Sequence, residues 1–151
     1  MTAPTTHRFK TIVVGFDGSD YSQRAVDVAA QLLDPDGTVH LVTAHDPVPI
    51  RQLGATFADV PTDLQRSVDF IATERAQINA ASDALANASV DNTPHLLEGE
   101  PADTILRFAE SVDADLVVVG SRGLGRASQV LRGSVSTKIA HKSPIDFLVI
   151  H

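Results

Sequence analysis

Apolar residues follow two patterns that alternate along the chain. Short runs rich in β-branched residues, such as "TIVVGF" (11–16) and "ADLVVVG" (114–120), are typical of strands buried on both faces of a sheet. Between such runs, apolar residues recur every three or four positions, which is the spacing of an amphipathic helix. The first helical segment carries Ala25, Val28, Ala29 and Leu32 on one face. Ser19 or Asp20 is its predicted N-terminal cap.

Strands and helices are predicted to alternate through the whole chain. The predicted strands are 11–16, 38–45, 93–99, 114–120 and 145–151. Four helices are predicted: one that follows residue 17, two that cover roughly 63–88 and 100–112, and one through 134–142. "DPDG" (34–37) is a predicted turn, and the proline-containing stretch 46–63 is a predicted long loop. This order predicts an α/β fold, with an open, mostly parallel sheet and helices on both faces.

Two of the helices have a predicted buried stripe. In the long helix the stripe consists of Leu64, Val68, Ile71, Ile78 and Leu85. In the helix that begins near Pro101 it consists of Ala102, Ile105, Leu106 and Ala109. Proline is favoured at the first position of a helix, which supports this start.

Composition narrows the classes of function. The 151 residues, 43% hydrophobic and 21% charged, indicate one soluble globular domain. Cysteine is absent, which excludes disulfides and thiolate chemistry and suits a cytosolic protein. "MTAPTTHRFK" lacks the apolar core of a signal peptide, and no apolar run approaches a membrane span. We therefore predict a disordered tail at 1–8, a domain at 9–151 and a cytoplasmic location with no membrane partner.

Charge is unevenly distributed. The formal net charge of -7 argues against nucleic-acid binding, which needs positive charge against phosphates. Five of the 12 lysines and arginines nevertheless lie between residues 120 and 143, where Asp and Glu are absent: Arg122, Arg126, Arg132, Lys138 and Lys142. This cluster favours an anionic ligand, although a solvated basic helix face explains the same pattern.

Four of the 9 glycines lie in one segment, "GSRGLGRASQVLRGS" (120–134). This segment and "GFDGSD" (15–20) both follow predicted strands, and open parallel sheets bind ligands beyond the carboxyl ends of strands. Glycines let a ligand approach the backbone closely, and successive N–H groups can hold phosphate oxygens. The helix that starts after Gly133 adds its free amides. Neither a Walker A sequence nor the G-x-G-x-x-G fingerprint of dinucleotide-binding folds is present.

The glycine spacing resembles that of the universal stress protein family, in its ATP-binding branch. The family pattern G-x2-G-x9-G-[ST] is matched by Gly120, Gly123, Gly133 and Ser134. The segments "IVVGFDGSDYSQRAVDVAA", "EGEPADTILRFAE" and "GSVSTKIAHKSP" are similar to the family in the same order. The resemblance implies a five-stranded parallel sheet of order 3-2-1-4-5, of the adenine-nucleotide alpha-hydrolase-like class. Its switch point then lies between the first and fourth strands.

The resemblance also implies site residues. Asp17, with Gly18 next to it, would lie beside the adenosine part of ATP, and the main chain of Ala44 would recognise adenine. The ribose and phosphate positions would be Gly120, Ser121, Arg122, Gly123, Gly133, Ser134, Val135 and Ser136. A Mg²⁺ or Mn²⁺ ion would be held through the phosphates, with no metal ligand from the protein.

Simpler roles explain some of these residues equally well. Asp17 is of a type favoured at helix caps, and Ser134 and Ser136 are ordinary residues for the start of a helix. Capping and phosphate binding use the same free amides, so the two roles of the serines are compatible. Arg122, on a glycine-rich loop, could simply be solvated.

The resemblance further implies a homodimer through the last strand, paired antiparallel with its copy. Asp146 is an unexpected charge in "SPIDFLVIH", so the strand could begin later and the dimer register stays open.

Three functions follow as hypotheses. The first is a homodimer that binds ATP and acts as a stress-response sensor or regulator. Hydrolysis would be slow or absent, because the chain offers no Walker lysine, acidic metal cage or evident base. The second is a nucleotide-using enzyme, an ATP hydrolase or a phosphate- or adenylyl-transferring enzyme, with 46–62 as a lid and His45 and Asp46 as candidates for polarising a water. The third is an interaction module without a ligand. The scattered histidines predict no zinc site.

Overall fold

In the described part of the chain, five strands alternate with four helices. The computed structural model describes residues 8–47, 62–122 and 134–151. The strands are β1 (Phe9–Gly15), β2 (Leu33–His45), β3 (Asn92–Glu98), β4 (Leu116–Gly120) and β5 (Phe147–Ile150). The helices are α1 (Asp20–Leu32), α2 (Thr62–Asn87), α3 (Pro101–Ser111) and α4 (Ser134–Lys142). All strand pairs are parallel and the order is β3-β2-β1-β4-β5, which confirms the predicted α/β fold and strand order.

The strand order reverses beside β1. Val14 of β1 lies opposite Leu41 of β2 on one side and Val118 of β4 on the other. The chain therefore leaves the carboxyl end of β1 toward one edge of the sheet and the carboxyl end of β4 toward the other. This divergence opens a crevice between the two strand ends, where ligands of doubly wound sheets bind.

Each face of the sheet carries its own hydrophobic core. Because side chains alternate along a strand, Ile12 and Val14 point to one face and Val13 points to the other. The first face is covered by α1 and α2, and the second by α3 and α4. This arrangement confirms the prediction of helices on both faces, and it explains why the central strands are apolar at nearly every position.

Helix caps are built from side chains that the sequence places at the right positions. Ser19 caps α1, and its Oγ accepts a hydrogen bond from the N–H of Ser22 at 3.1 Å. Glu100 caps α3 and accepts from the N–H of Asp103 at 3.0 Å. The predicted apolar stripe of α3 is buried as expected.

The predicted stripe of α2 is only partly correct. Leu64, Ile78 and Leu85 are buried, whereas the side chain of Val68 is 47% exposed. The α2 residues that pack into the core are Ile78, Ala81 and Leu85, all from the second half of the helix. Helical periodicity identifies a face, but it does not show how far along the helix the sheet extends.

The starts of β2 and β5 both differ from the prediction. The predicted turn at 34–37 lies within β2, where Asp34 Oδ1 accepts the N–H of Asp36 at 3.1 Å. This local turn coincides with an irregular register, since Phe9 lies opposite Leu33 while Thr11 lies opposite Thr38. The last strand begins at Phe147 rather than 145, which leaves Asp146 just before it.

None of the described helices is long and apolar enough to cross a membrane.

Candidate functional site

The loop after β1 lies beside the first residues after β4, Ser121 and Arg122. Ser19 Oγ, in the loop after β1, donates a hydrogen bond to the main-chain carbonyl of Arg122 at 3.4 Å. Ser121, next to Arg122, donates its N–H to Ile150 O of β5 at 2.7 Å. The structure therefore brings 15–20 together with residues 120–122 of the glycine-rich segment, at the carboxyl edge of the sheet.

Asp17 is held at the end of β1 by the loop that follows it. Its Oδ1 accepts the N–H of Ser19 at 3.0 Å, and its own N–H donates to Ser22 Oγ at 3.3 Å. Ser22 Oγ donates in turn to the carbonyl of Ser19 at 3.0 Å. Because Ser19 is the cap of α1, Asp17 is not the capping residue. Its half-buried carboxylate instead braces the loop beside the crevice.

Close packing explains why two positions of the site are glycine. Gly18 has φ +79°, in the region that favours glycine, and a Cβ there would lie 2.5 Å from Gln77 Oε1 of α2. A Cβ on Gly120 would lie 2.7 Å from Tyr21 Cβ and 2.9 Å from the Tyr21 carbonyl carbon. Gly120 is therefore required for the close approach of β4 to α1, whatever ligand binds nearby.

Ala44 presents its main chain to the crevice. The N–H of Phe16 donates to Val42 O at 2.9 Å, so Val42 turns its main-chain polar groups toward β1. The direction of these groups alternates along a strand, so those of Ala44 point to the same side, beyond that hydrogen bond. Ala44 itself is half-buried. Its main chain therefore lies at the β2 side of the crevice.

The start of α4 supplies the third wall. A helix that joins two parallel strands runs antiparallel to them, so α4 begins at the carboxyl edge of the sheet. Ser134 is exposed, Val135 is half-buried and Ser136 is buried in its first turn. The free amides of this turn favour an anion. The predicted site residues Gly123 and Gly133 lie outside the described residues.

Two of the five clustered basic residues are used elsewhere. Lys138 Nζ lies 2.6 Å from Glu100 Oε1, and Lys142 Nζ lies 3.0 Å from Asp103 Oδ1. The hydrogen bond to Glu100 raises the pKa of Lys138, and the hydrogen bond from Lys142 lowers the pKa of Asp103. These lysines thus join α4 to α3.

Arg122 remains at the crevice, exposed, with its guanidinium carbon 6.0 Å from the centre of the Tyr21 ring. Arg126 and Arg132 lie outside the described residues.

Sequence reasoning missed one residue at this edge, Glu74 of α2. Burial raises the pKa of the Glu74 carboxyl, the nearby His45 lowers it and Asp17 raises it. Its Oε2 is buried and has no hydrogen-bond partner in the described structure. We call Asp17, His45 and Glu74 the strand-end cluster. A glutamate on an amphipathic helix carries no sequence signal of which strand end it faces.

His45 is engaged with its own main chain, since its Nδ1 lies 2.9 Å from Asp46 O. Among the described residues, no group of three or more His, Asp or Glu side chains could hold a metal ion.

A second groove lies between α3 and α4. Its lining residues are Glu100, Asp103, Leu106, Arg107, Glu110, Lys142 and Pro144. Asp103 and Lys142 pair with each other across it, so its charges are largely matched internally.

A sequence profile of the universal stress protein family matches residues 8–151, nearly the whole chain. The chain belongs to the universal stress protein family. This membership confirms the resemblance drawn from the glycine spacing. One relative, a universal stress protein of Mycobacterium tuberculosis, is 34% identical over 144 residues, covering 95% of this chain and 97% of the relative.

Solved universal stress proteins share the fold. A crystal structure of a universal stress protein in complex with cAMP is 32% identical, with a TM-score of 0.66 over 96% of this chain and 98% of that one. The universal stress protein from Archaeoglobus fulgidus in complex with dAMP is 20% identical, with a TM-score of 0.63 over 96% and 100% of the two chains. At that identity, the second match speaks for the fold alone. Both of these solved proteins bind adenine nucleotides.

Proposed function

We propose that the protein binds an adenine nucleotide, ATP in the first place, in the crevice between the carboxyl ends of β1 and β4. One observation carries the proposal: the hydrogen bond from Ser19 Oγ to Arg122 O joins the loop after β1 to the first residues of the glycine-rich segment after β4. The cAMP complex of a protein 32% identical supports the same ligand class. Among the adenine nucleotides, we propose ATP as the ligand rather than AMP or a cyclic nucleotide.

The walls of the crevice fit the parts of such a ligand. The main-chain N–H and C=O of Ala44 suit the hydrogen-bonding edge of adenine, and the carboxylate of Asp17 suits the adenosine part. Gly120, Ser121 and Arg122, together with Ser134, Val135 and Ser136 at the start of α4, offer main-chain donors on the phosphate side. We assign Gly123 and Gly133 to the same phosphate side from the sequence pattern.

A divalent cation, Mg²⁺ or Mn²⁺, would be bound through the phosphates. Turnover of ATP should be slow, since the strand-end cluster has no lysine and His45 contacts its own main chain. We therefore propose a role as a stress-response sensor or regulator rather than as an enzyme. We also propose that the protein is cytoplasmic. Its domain would cover 9–151, preceded by a tail at 1–8.

We also propose a homodimer formed through β5. This strand is at the edge of the described sheet, and the side chain of Phe147 is 39% exposed. An exposed strand edge with an apolar side chain is a template for pairing with a second copy. Because Asp146 precedes β5, its charge lies outside the four residues that would pair.

Calorimetry on nucleotide-free protein tests the proposal. ATP should give a saturable heat. Asp17→Asn should weaken binding by about tenfold, because it removes the charge but keeps an acceptor for Ser19 N–H. Asp20→Asn, an exposed neighbour at the start of α1, is the matched control and should bind as the wild type does. No heat at millimolar ATP, AMP or cAMP would remove the proposal.

A further inference from the structure

Two buried side-chain oxygens lack a hydrogen-bond partner in the described structure, Thr104 Oγ1 and Glu74 Oε2. Glu74 is the ionisable residue of the two. Its Oε2 is shielded from solvent and lacks a hydrogen-bond partner there. Buried polar atoms are almost always hydrogen-bonded in folded proteins, so an unpaired carboxyl oxygen calls for an explanation. A ligand that donates a hydrogen bond to it is one explanation, and a structural water is the other.

The position of Glu74 favours the ligand. Asp17 and His45 are the ionisable neighbours that act on its carboxyl, and they stand at the ends of β1 and β2. Gln77, on the same face of α2 one turn later, packs against Gly18 of the loop after β1. The unpaired oxygen therefore belongs to the edge of the sheet where the crevice opens.

The strand order separates Glu74 from the phosphate side. β2 and β4 flank β1 on opposite sides, and α2 and α4 cover opposite faces of the sheet. Glu74 lies with the β1 and β2 ends, whereas the amides suited to phosphates lie after β4 and at the start of α4. A carboxyl near Asp17 would repel phosphate charges, but it accepts hydrogen bonds from neutral donors.

We propose that Glu74 is a specificity-determining residue whose Oε2 accepts a hydrogen bond from the nucleoside part of the bound nucleotide. The inference rests on the proposed function and adds one residue of this chain to it. The nucleoside offers two kinds of donor: the ribose hydroxyls and the exocyclic amine of adenine.

The test compares ATP, 2′-deoxy-ATP and inosine triphosphate by calorimetry on wild-type and Glu74→Ala proteins. The wild type should prefer ATP over the analogue that lacks the donor, by about tenfold, and Glu74→Ala should bind these two nucleotides equally. A preference over 2′-deoxy-ATP assigns the bond to the ribose, and a preference over inosine triphosphate assigns it to the amine. Asp83→Ala, an exposed acid on the same helix, should keep the preferences of the wild type.

Stability separates a ligand role from a structural one. Without nucleotide, Glu74→Ala, which removes the unpaired buried oxygen, and Glu74→Gln, which removes the charge of the carboxylate, should unfold at the same temperature as the wild type or higher. If Glu74 held a structural water instead, Glu74→Ala would unfold at lower temperature than the wild type and the nucleotide preferences would not change. That result would overturn the inference.

The two proposals fail in different ways. A wild type that gives no heat with any of the nucleotides refutes the proposed function, and the role of Glu74 with it. A wild type that binds ATP while Glu74→Ala shows the same affinities and preferences refutes only the role of Glu74. An equal loss of affinity for all three nucleotides also counts against it. Should Glu74→Ala fold poorly, Glu74→Met, which keeps the length of the side chain but has no carboxyl oxygen, serves the same comparison.

Discussion

The strand-end cluster and the histidine pair on β2 and β3 both bury ionisable side chains, but they satisfy them differently. His40 Nδ1 lies 3.0 Å from His95 Nε2, and the ring of Phe108 packs on both imidazoles, with ring centres 5.5 and 4.4 Å away. Each histidine thus has its partner inside the fold. In the strand-end cluster, the buried oxygen of Glu74 has none among the described residues.

Burial has the same kind of effect on pKa in both regions. It lowers the pKa of His40 and His95 and raises the pKa of Glu74, in each case because it disfavours the charged form. A perturbed pKa alone therefore does not distinguish a ligand site from a structural pair. The missing hydrogen-bond partner of Glu74, together with its position beside the ends of β1 and β2, does.

The largest expected effect comes from Gly120, which allows β4 to approach α1 next to the strand-end cluster. Gly120→Ala should lower the free energy of unfolding by about 1–3 kcal/mol, because its Cβ would overlap the main chain of Tyr21. The melting temperature should fall by about 2–4 °C for each kcal/mol. Ser121→Ala is the control, since only its main-chain N–H bonds to Ile150 O. Equal denaturant midpoints for Gly120→Ala and the wild type would show that the two segments are not in such close contact.

The second effect is the pH dependence of stability that the histidine pair should cause. The folded-state pKa of His40 and His95 lies below that of an unfolded histidine, about 6.5, so the unfolded chain binds protons more readily. The stability of the wild type should therefore fall as pH decreases below about 6.5. Asp91, which raises the pKa of His40, limits the fall.

His95→Gln should flatten this dependence, measured as free energy of unfolding in urea between about pH 5 and pH 7. His141→Gln, at an exposed position of α4, should keep the slope of the wild type. A slope that is unchanged in His95→Gln would contradict the assignment to the pair.

Glu74 should change the pH dependence of stability in the opposite direction. Its folded-state pKa is raised, so the folded state holds that proton more readily, and the carboxyl favours folding least at pH values above its folded pKa. Glu74→Gln should therefore stabilise the nucleotide-free protein near neutral pH, and the gain should shrink as pH falls toward 4, about the pKa of a free glutamate. A gain that grows on acidification would contradict the burial of this carboxyl.

The smallest effect is expected at the two lysines that pair with α3. Lys138→Ala and Lys142→Ala remove exposed ion pairs, which contribute little to stability. Their ATP affinity should stay within about twofold of the wild type, because their charges are directed to Glu100 and Asp103. A large loss of affinity in either variant would place the phosphates beside the α3-facing lysines of α4 rather than at the start of that helix, where we propose them.

The sequence predicted the fold well where the pattern was local. Runs such as 11–16 and 114–120 are apolar throughout because both faces of the sheet are covered, and this shows directly in the residues. The glycine spacing and the family resemblance supplied the strand order, which no local pattern contains. The starts of β2 and β5 were harder to place, because a turn at Asp34 and a charge at Asp146 only become interpretable with the strand register.

The parts of the site that depend on tertiary register could not be predicted. Glu74 belongs to the strand-end cluster because of how α2 lies along the sheet, and His40 meets His95 because of the register between β2 and β3. The packing reason for Gly120 depends on where α1 begins. The pairing of Lys138 with Glu100 likewise follows from how α4 lies beside α3.

A titration of the isotope-labelled, nucleotide-free protein with ATP, followed by nitrogen–proton correlation spectra, tests the central claim most directly. We expect saturable shifts of amides at 15–19, 44–46, 74–77, 120–122 and 134–136, with those of β3 and the histidine pair unchanged. Shifts confined to the groove between α3 and α4, or no shifts at millimolar ATP, would contradict it.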